Sequence, residues 1–177
     1  MLSDKFISLV EKRADRLKKR WVEMIQTHPA TASYHTLDDE ALENSILQVY
    51  RNLGDYMEQP YDDDYLGNFF MNIGRARREQ NVPLHELIFA IHLVRRNVME
   101  FIMDEGVFNS TLDYHQVTEF WRRVMNFFDK NIYFVVIGFN EQQETAATES
   151  DKDIFSKYIN SFSLGVFPEV DKKATPE

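Results

Sequence analysis

The sequence predicts an all-α fold: a single helical bundle of about five main helices, plus a short C-terminal helix and a disordered tail. Apolar residues recur at steps of three, four and seven along most of the 177-residue chain, which is the period of a helix with one buried side. No stretch alternates convincingly between apolar and polar residues, as a half-buried strand would. Six Gly and five Pro are few for an all-β protein, which needs many tight turns.

Three helices are predicted before residue 80. The first begins with Ser3 as its cap and ends near His28-Pro29, because proline disfavours helical geometry in the residue before it. The second begins with Thr36 as its cap and acids in its first turn, and it ends at Gln59-Pro60. The third begins within residues 62–64.

The fourth helix is predicted to begin at Pro83, since a missing N–H costs nothing in the first helical turn, and to end at Gly106. The fifth begins between Ser110 and Asp113 and runs to about Glu144. We therefore place a helical domain at residues 1–145. Residues 146–177 are expected to hold a polar linker, the short amphipathic helix and the tail.

The fifth helix has an apolar seam and, from Ile132 onward, apolar residues on its other sides as well. Such a segment must be covered all round, either by helices of its own bundle or by a second copy. We favour a homodimer interface, because a five-helix domain leaves few helices to cover it. The candidate pocket or interface residues in this seam are Trp121, Phe128, Ile132, Val135 and Phe139.

Composition and charge exclude several classes of protein. Without cysteine there are no disulfides or thiolate metal sites, and a reducing cytoplasm is the natural compartment. No signal peptide is visible, and the longest apolar run, residues 132–139, is far shorter than the roughly 20 residues that span a bilayer. The net charge of −9 disfavours nucleic acid as a partner.

The histidines form no recognisable metal motif. Neither Glu-x-x-His nor His-Glu-x-x-His occurs, so we predict no metal site and no cofactor. His85 and His92 are seven residues apart, which is too far along a helix for both to bind one ion. His92 lies beside the apolar stripe and is a candidate haem ligand; the alternative is a half-buried histidine bonded to a backbone carbonyl. The other histidines lie in predicted loops or helix starts.

Covalent catalysis finds no support in the sequence either. Cysteine is absent and no Gly-x-Ser-x-Gly elbow occurs, so no catalytic residue is assigned. A pair of carboxylates acting as acid and base stays open as a third hypothesis, although many of the acids lie at helix starts, where capping explains them.

Two groups of side chains are candidates for binding. Five arginines between Gly74 and Arg96 could receive an anionic partner or a phosphorylated ligand, or could instead complement a helix C-terminus and pair with nearby acids. They are Arg75, Arg77, Arg78, Arg95 and Arg96. The aromatic residues of the fifth helix could line a small-molecule pocket, with core packing as the alternative. They are Trp121, Phe127, Phe128, Tyr133 and Phe134.

The central stretch resembles a known bacterial family. Gly74-x-x-Arg77, then Gln80-Asn81-Val82-Pro83-Leu84-x-Glu86-Leu87-Ile88-x-Ala90-x-x-Leu93 and Arg96, is similar to the N-terminal domain of RsbT co-antagonist proteins of the RsbRD type. The resemblance covers about residues 1–145, and Leu17-x-x-x-Trp21 also fits it. Asn81 stands where the family often has glycine, and asparagine also tolerates left-handed backbone geometry.

The resemblance implies a sensory or regulatory role in bacterial stress signalling, and it transfers no catalytic residue. Similar domains precede histidine kinase and transcription-regulator outputs, and no such output fits in residues 144–177. The leading hypothesis is a non-enzymatic signalling module, a homodimer in the cytoplasm with a signalling protein as partner. The alternative is a helical sensor of haem or another small ligand, with His92 as the ligand residue.

Overall fold

The computed structural model describes residues 2–58, 63–105 and 114–141, which are helical and contain no strand. Its elements in chain order are α1 (Leu2–Thr27), a 3₁₀ helix (Pro29–Thr36), α2 (Asp39–Glu58), α3 (Asp63–Glu79), α4 (Leu84–Asp104) and α5 (Tyr114–Asn140). The predicted all-α bundle with five main helices is confirmed. The predicted boundary at residue 145, the short C-terminal helix and the tail lie outside the described residues.

The segment between α1 and α2 is a 3₁₀ helix, where the sequence had suggested a loop. The ring Nδ1 of His28 caps its start by accepting a hydrogen bond from the Ala30 amide at 3.1 Å. The fully buried Thr31 hydroxyl lies 2.6 Å from the carbonyl oxygen of Ile25, one of the carbonyls that the end of α1 leaves without a helical partner. These bonds hold the segment against α1 and bury the side chain of Tyr34 in the bundle.

The N-cap of α2 is Asp38, so the prediction of Thr36 was wrong by two residues. The Asp38 carboxylate accepts a hydrogen bond from the Ala41 amide at 2.8 Å, which is the bond that an N-cap makes. Thr36 belongs to the 3₁₀ helix, and its hydroxyl lies 3.3 Å from the carbonyl oxygen of Ser33. Both residues are suitable caps, and Asp38 takes this position because Thr36 already belongs to the preceding 3₁₀ helix.

The joint between α3 and α4 is a Schellman motif centred on Asn81. The amide of Asn81 donates to the carbonyl of Arg78 at 2.9 Å, and the amide of Val82 donates to that of Arg77 at 3.0 Å. Asn81 has a φ of 58°, which is the left-handed geometry expected at a position where the similar family often has glycine. Pro83 is the N-cap of α4 rather than its first helical residue.

Buried apolar side chains from every helix form one hydrophobic core, and α3 and α5 lie closest together within it. Gly138 of α5 rests on the backbone of Met71: a β-carbon at Gly138 would come 2.6 Å from the Met71 Cα. At Gly67 of α3 the ring of Phe134 occupies the space that a side chain would need, with its Cε1 2.8 Å from the position of a β-carbon. No helix within the described residues is long and apolar enough to cross a membrane.

Candidate functional site

A small cavity of about 40 Å³ lies where the helices of the described bundle meet. Trp21 of α1 and Tyr34 of the 3₁₀ helix lie on one part of its wall. Ser45 of α2, Arg77 of α3 and Asn131 of α5 supply further polar groups, and α4 supplies only apolar side chains. All six elements therefore contribute to this one space.

Tyr34 brings a buried hydroxyl to the cavity. Its side chain is 1% exposed, and its hydroxyl oxygen has no hydrogen-bond partner among the described residues. Burial raises the pKa of Tyr34 to about 12, although the charge of the nearby Arg77, and a contact of its guanidinium with the hydroxyl that falls outside hydrogen-bond geometry, oppose part of that shift. The phenol is therefore neutral at pH 7, and its O–H is available as a donor.

The position of Tyr34 is fixed through its neighbour in sequence. The Ser33 amide donates to the Glu86 carboxylate at 2.9 Å, and the Ser33 hydroxyl donates to the same oxygen at 2.5 Å. Burial acts to raise the pKa of Glu86, but these two hydrogen bonds outweigh it, so the pKa of Glu86 is lowered. Glu86 lies in the first turn of α4, where the helix dipole also favours an anion. The 3₁₀ helix is thus tied to the start of α4.

Arg77 brings a buried positive charge. Its side chain is 8% exposed, and its guanidinium donates to Gln80 Oε1 at 2.6 Å and to Ser45 Oγ at 3.4 Å. The guanidinium also lies over the ring of Tyr34, 5.6 Å from the ring centroid. No carboxylate of the described residues lies within ion-pair distance of it. Within the described residues its charge is compensated by these two neutral hydrogen-bond acceptors, by the π face of Tyr34 and by the negative end of the α3 dipole.

Asn131 supplies the third polar group. It is 3% exposed, and its Oδ1 atom has no hydrogen-bond partner in the described part of the chain. Three buried side-chain atoms are in this condition within the described ranges: Tyr34 Oη, Asn97 Oδ1 and Asn131 Oδ1. Two of the three belong to residues that line the cavity. A buried polar group without a partner costs about 1–3 kcal/mol, so the two such groups at this cavity require an explanation.

The other four arginines of the predicted cationic group turn away from the cavity. Arg75 pairs with Glu141, and Arg78 donates to the carbonyl oxygen of Phe139 at 2.6 Å. Arg96 pairs with Glu100 at 2.7 Å, and Arg95 donates to a ring nitrogen of a histidine on its own helix. The five residues therefore do not form a single anion-binding surface. Arg75 and Arg96 pair with nearby acids and Arg78 binds a carbonyl at the end of α5, which agrees with the structural alternative.

His92 is the histidine that Arg95 contacts, and it lies outside the cavity wall. Its Nδ1 accepts from Arg95 Nη2 at 3.2 Å, and burial together with the Arg95 charge lowers the pKa of His92. The observed partner is thus an arginine, not the backbone carbonyl of the alternative reading. The 40 Å³ cavity is far smaller than the several hundred Å³ that enclose a cofactor-sized ligand. Among the described residues no three His, Asp or Glu side chains are placed to share a metal ion.

The predicted pocket or interface residues of α5 fall into two groups. Phe128 and Val135 are 0% exposed and belong to the core of a single chain. Trp121, Ile132 and Phe139 pack against that core but stay half-buried. Of the aromatic residues proposed for a pocket, Phe127 is also fully buried in the core, while Tyr133 and Phe134 are half-buried.

Five half-buried apolar residues define one side of α5, which we call the α5 stripe. The intervals between them are four, seven, four and three residues, so they share one side of the helix. They are Trp121, Met125, Ile132, Val136 and Phe139. The stripe lies next to the core-facing side of α5 and keeps part of its apolar surface exposed.

Sequence reasoning missed three of the cavity residues: Tyr34, Ser45 and Asn131. One signal was available for Asn131, because it occupies a position of α5 that is in phase with the buried Val124, Phe127 and Val135. A polar residue on the core-facing side of a helix requires a partner. Tyr34 gave no such signal, since its position depends on the 3₁₀ helix, and nothing in the sequence distinguishes the half-buried Ser45 from other polar residues of α2.

Comparison with known sequences gives one finding that covers most of this structure. The model of a family described as the RsbT co-antagonist protein rsbRD N-terminal domain matches residues 15–153. The matched range includes the cavity, the joint at Asn81 and the α5 stripe. No curated protein and no solved structure shows a significant match.

Proposed function

The chain belongs to the family of RsbT co-antagonist protein rsbRD N-terminal domains, and we propose that it is a non-enzymatic signal-transduction module. The family is one of regulatory domains in stress signalling, which act on protein partners. In this proposal the chain is a sensory or regulatory input domain in the bacterial cytoplasm. Its action is a change in helix packing that a signalling protein recognises.

The α5 stripe is the observation that carries the proposal. Half-buried apolar side chains that follow one side of a helix are typical of a surface that a protein partner covers. We propose that a second copy of this chain covers it, because one row of apolar residues can face its own symmetry mate across a two-fold axis. The two fully buried members of the predicted interface, Phe128 and Val135, would then support the stripe from within.

The length and the contacts of α5 suit it to transmit a change in packing. At 1.5 Å per residue its 27 residues span about 40 Å, and it contacts α1, α2, α3 and α4. A signal that favours one of two helix arrangements would therefore change the position of α5 relative to the others. Such a signal shifts the balance only as far as its affinities for the two arrangements differ.

The oligomeric state tests the proposal. We expect sedimentation equilibrium of the native chain to give twice the monomer mass at high micromolar concentration. Met125→Glu places a charge in the α5 stripe and is expected to give a monomer. Met103→Glu makes the same change at a methionine of α4 that is 69% exposed, and it should leave the dimer intact. A monomeric native chain at these concentrations, or a monomer produced equally by both variants, would contradict the proposal.

A further inference from the structure

The cavity at the centre of the bundle has the charge of an anion site. Arg77 is buried, carries a permanent positive charge and lacks a carboxylate partner among the described residues. Its two hydrogen-bond acceptors among the described residues, Gln80 and Ser45, are both neutral, and an oxyanion with two acceptor oxygens would add the missing negative charge through charge-assisted hydrogen bonds. The planar guanidinium matches a planar oxyanion better than it matches a spherical ion.

The size of the cavity limits the ligand to a few atoms. One water molecule needs about 10–15 Å³ of such volume, so 40 Å³ provides about three water-sized positions. A molecule of three or four heavy atoms fits, whereas an amino acid, a nucleotide or a haem does not. The half-buried Ser45 and Ile73 lie on the wall and give the site an edge towards solvent between α2 and α3.

The two buried polar atoms without partners specify the ligand further. Tyr34 is a neutral phenol whose O–H can donate to an anion, and Asn131 presents Oδ1, which accepts. A ligand that satisfies these two atoms and Arg77 must combine a negative charge, acceptor oxygens and one acidic hydrogen in a single small molecule. Bicarbonate has all three, while nitrate and formate have the same planar shape and charge without the hydrogen that Asn131 would bind.

We propose that this cavity binds a small planar monovalent oxyanion, with Arg77 as its charge partner and with bicarbonate as the member of the class that satisfies all the polar groups. Every helix of the described bundle contributes to the wall, so a bound anion would contact all of them at once. The binding itself does not require the proposed function. Only its use as a signal rests on that proposal.

Thermal unfolding of the full chain, followed by circular dichroism, tests the binding. Sodium bicarbonate and sodium nitrate are compared with sodium chloride at one pH and one ionic strength. A ligand of the folded state raises Tm in proportion to the logarithm of its concentration once the site is saturated. We expect bicarbonate to raise Tm more than nitrate does, and nitrate to raise it more than chloride. No rise above chloride with either oxyanion would overturn the proposal.

Two tyrosine variants separate a binding site from a general salt effect. Tyr34→Phe removes only a hydroxyl that makes no hydrogen bond to the described residues, so the chain should fold as well as the native one in chloride. It should also require about ten times more bicarbonate for the same rise in Tm, the loss expected for a hydrogen bond to a charged group. Tyr50→Phe removes a buried hydroxyl that does not line the cavity and should keep the native bicarbonate response.

An equal bicarbonate response in the native chain and Tyr34→Phe would overturn the proposal. If Tyr34→Phe does not fold, Asn131→Leu takes its place. It removes the Oδ1 acceptor that would bind the hydrogen of bicarbonate, so the bicarbonate response should fall to that of nitrate, and an unchanged advantage of bicarbonate would overturn the proposal. The oligomeric state measured in the same samples keeps the two proposals apart. A dimer without an oxyanion response contradicts the anion site alone, and a monomer with a response contradicts only the dimer.

Discussion

The backbone of Gly74 in α3 lies directly against the backbone of Phe139 in α5. A β-carbon at Gly74 would come 2.8 Å from the amide nitrogen of Phe139, and the carbonyl oxygen of Val135 is nearer still. Gly138 makes the reciprocal contact with α3 through Met71. Neither neighbour is a side chain that can rotate away, so this close approach of the two helices depends on glycine at both positions.

Gly74→Ala is expected to lower the free energy of unfolding by about 1–3 kcal/mol, because the added methyl group must push two helix backbones apart. Gly54→Ala is its control, since a β-carbon there would meet no atom within 4 Å inside the same kind of helix. Alanine's higher helix propensity should make that variant about 1 kcal/mol more stable. Urea unfolding measures both, and a loss of stability in both variants would contradict the backbone contact.

Asn81→Ala is expected to lower the free energy of unfolding by about 1 kcal/mol, because the left-handed backbone geometry of this position is unfavourable for alanine. Asn81→Gly keeps that geometry available and should change the stability by less than about 0.5 kcal/mol. The φ of 58° at Asn81 is the basis for the contrast. Equal stabilities of the alanine and glycine variants in urea unfolding would show that the turn does not need a left-handed residue.

Tyr50→Phe is expected to cost about 1 kcal/mol, since the Asn97 side-chain amide donates to the Tyr50 hydroxyl at 2.9 Å inside the core. The second bond of that amide, to the Leu17 carbonyl at 2.9 Å, should survive the change. Tyr34→Phe in the absence of added oxyanion is expected to cost nothing or to stabilise the fold, because its buried hydroxyl has no hydrogen-bond partner in the described ranges. Chemical unfolding of the two variants in chloride decides the comparison, and an equal loss in both would contradict it.

Glu86→Gln is expected to destabilise the chain at neutral pH and to matter less in acid. The folded-state pKa of Glu86 lies below its ordinary value of 4.5, so its charged form contributes stability above that pH. This contribution is lost as the pH falls through the lowered folded-state value. The difference in unfolding free energy between the native chain and Glu86→Gln should therefore shrink from about pH 7 to about pH 3.5. A difference that stays constant with pH would show that the charge of Glu86 has no part in it.

The helices could be predicted from the sequence because their apolar spacing and their proline and glycine positions act locally. The end of α1 before Pro29 and the start of α3 at Asp63 were predicted in this way. The cap of α2 was misplaced, because Thr36 and Asp38 are both suitable caps and only the 3₁₀ helix before them decides which is free. Local propensity does not contain that information.

The candidate site was harder to predict, since it depends on contacts between distant parts of the chain. The five arginines lie in two short runs of the sequence, and even within the first run Arg75 and Arg78 reach the end of α5 while Arg77 is buried in the core. Gly74 lies inside α3, and its contact with the α5 backbone could not be predicted from its place in the sequence. Consecutive residues of a helix project in different directions, so their order along the chain does not show which of them share a site.

Arg77 and Arg78 are consecutive residues in the last turn of α3, and their side chains reach two different parts of the structure. One side chain reaches the central cavity, while the next holds the carbonyl oxygen of Phe139 at 2.6 Å and lies over its ring. A rotation of that turn by a few degrees would displace both guanidinium groups together. Two adjacent residues of α3 thus contact the cavity and the final turn of α5.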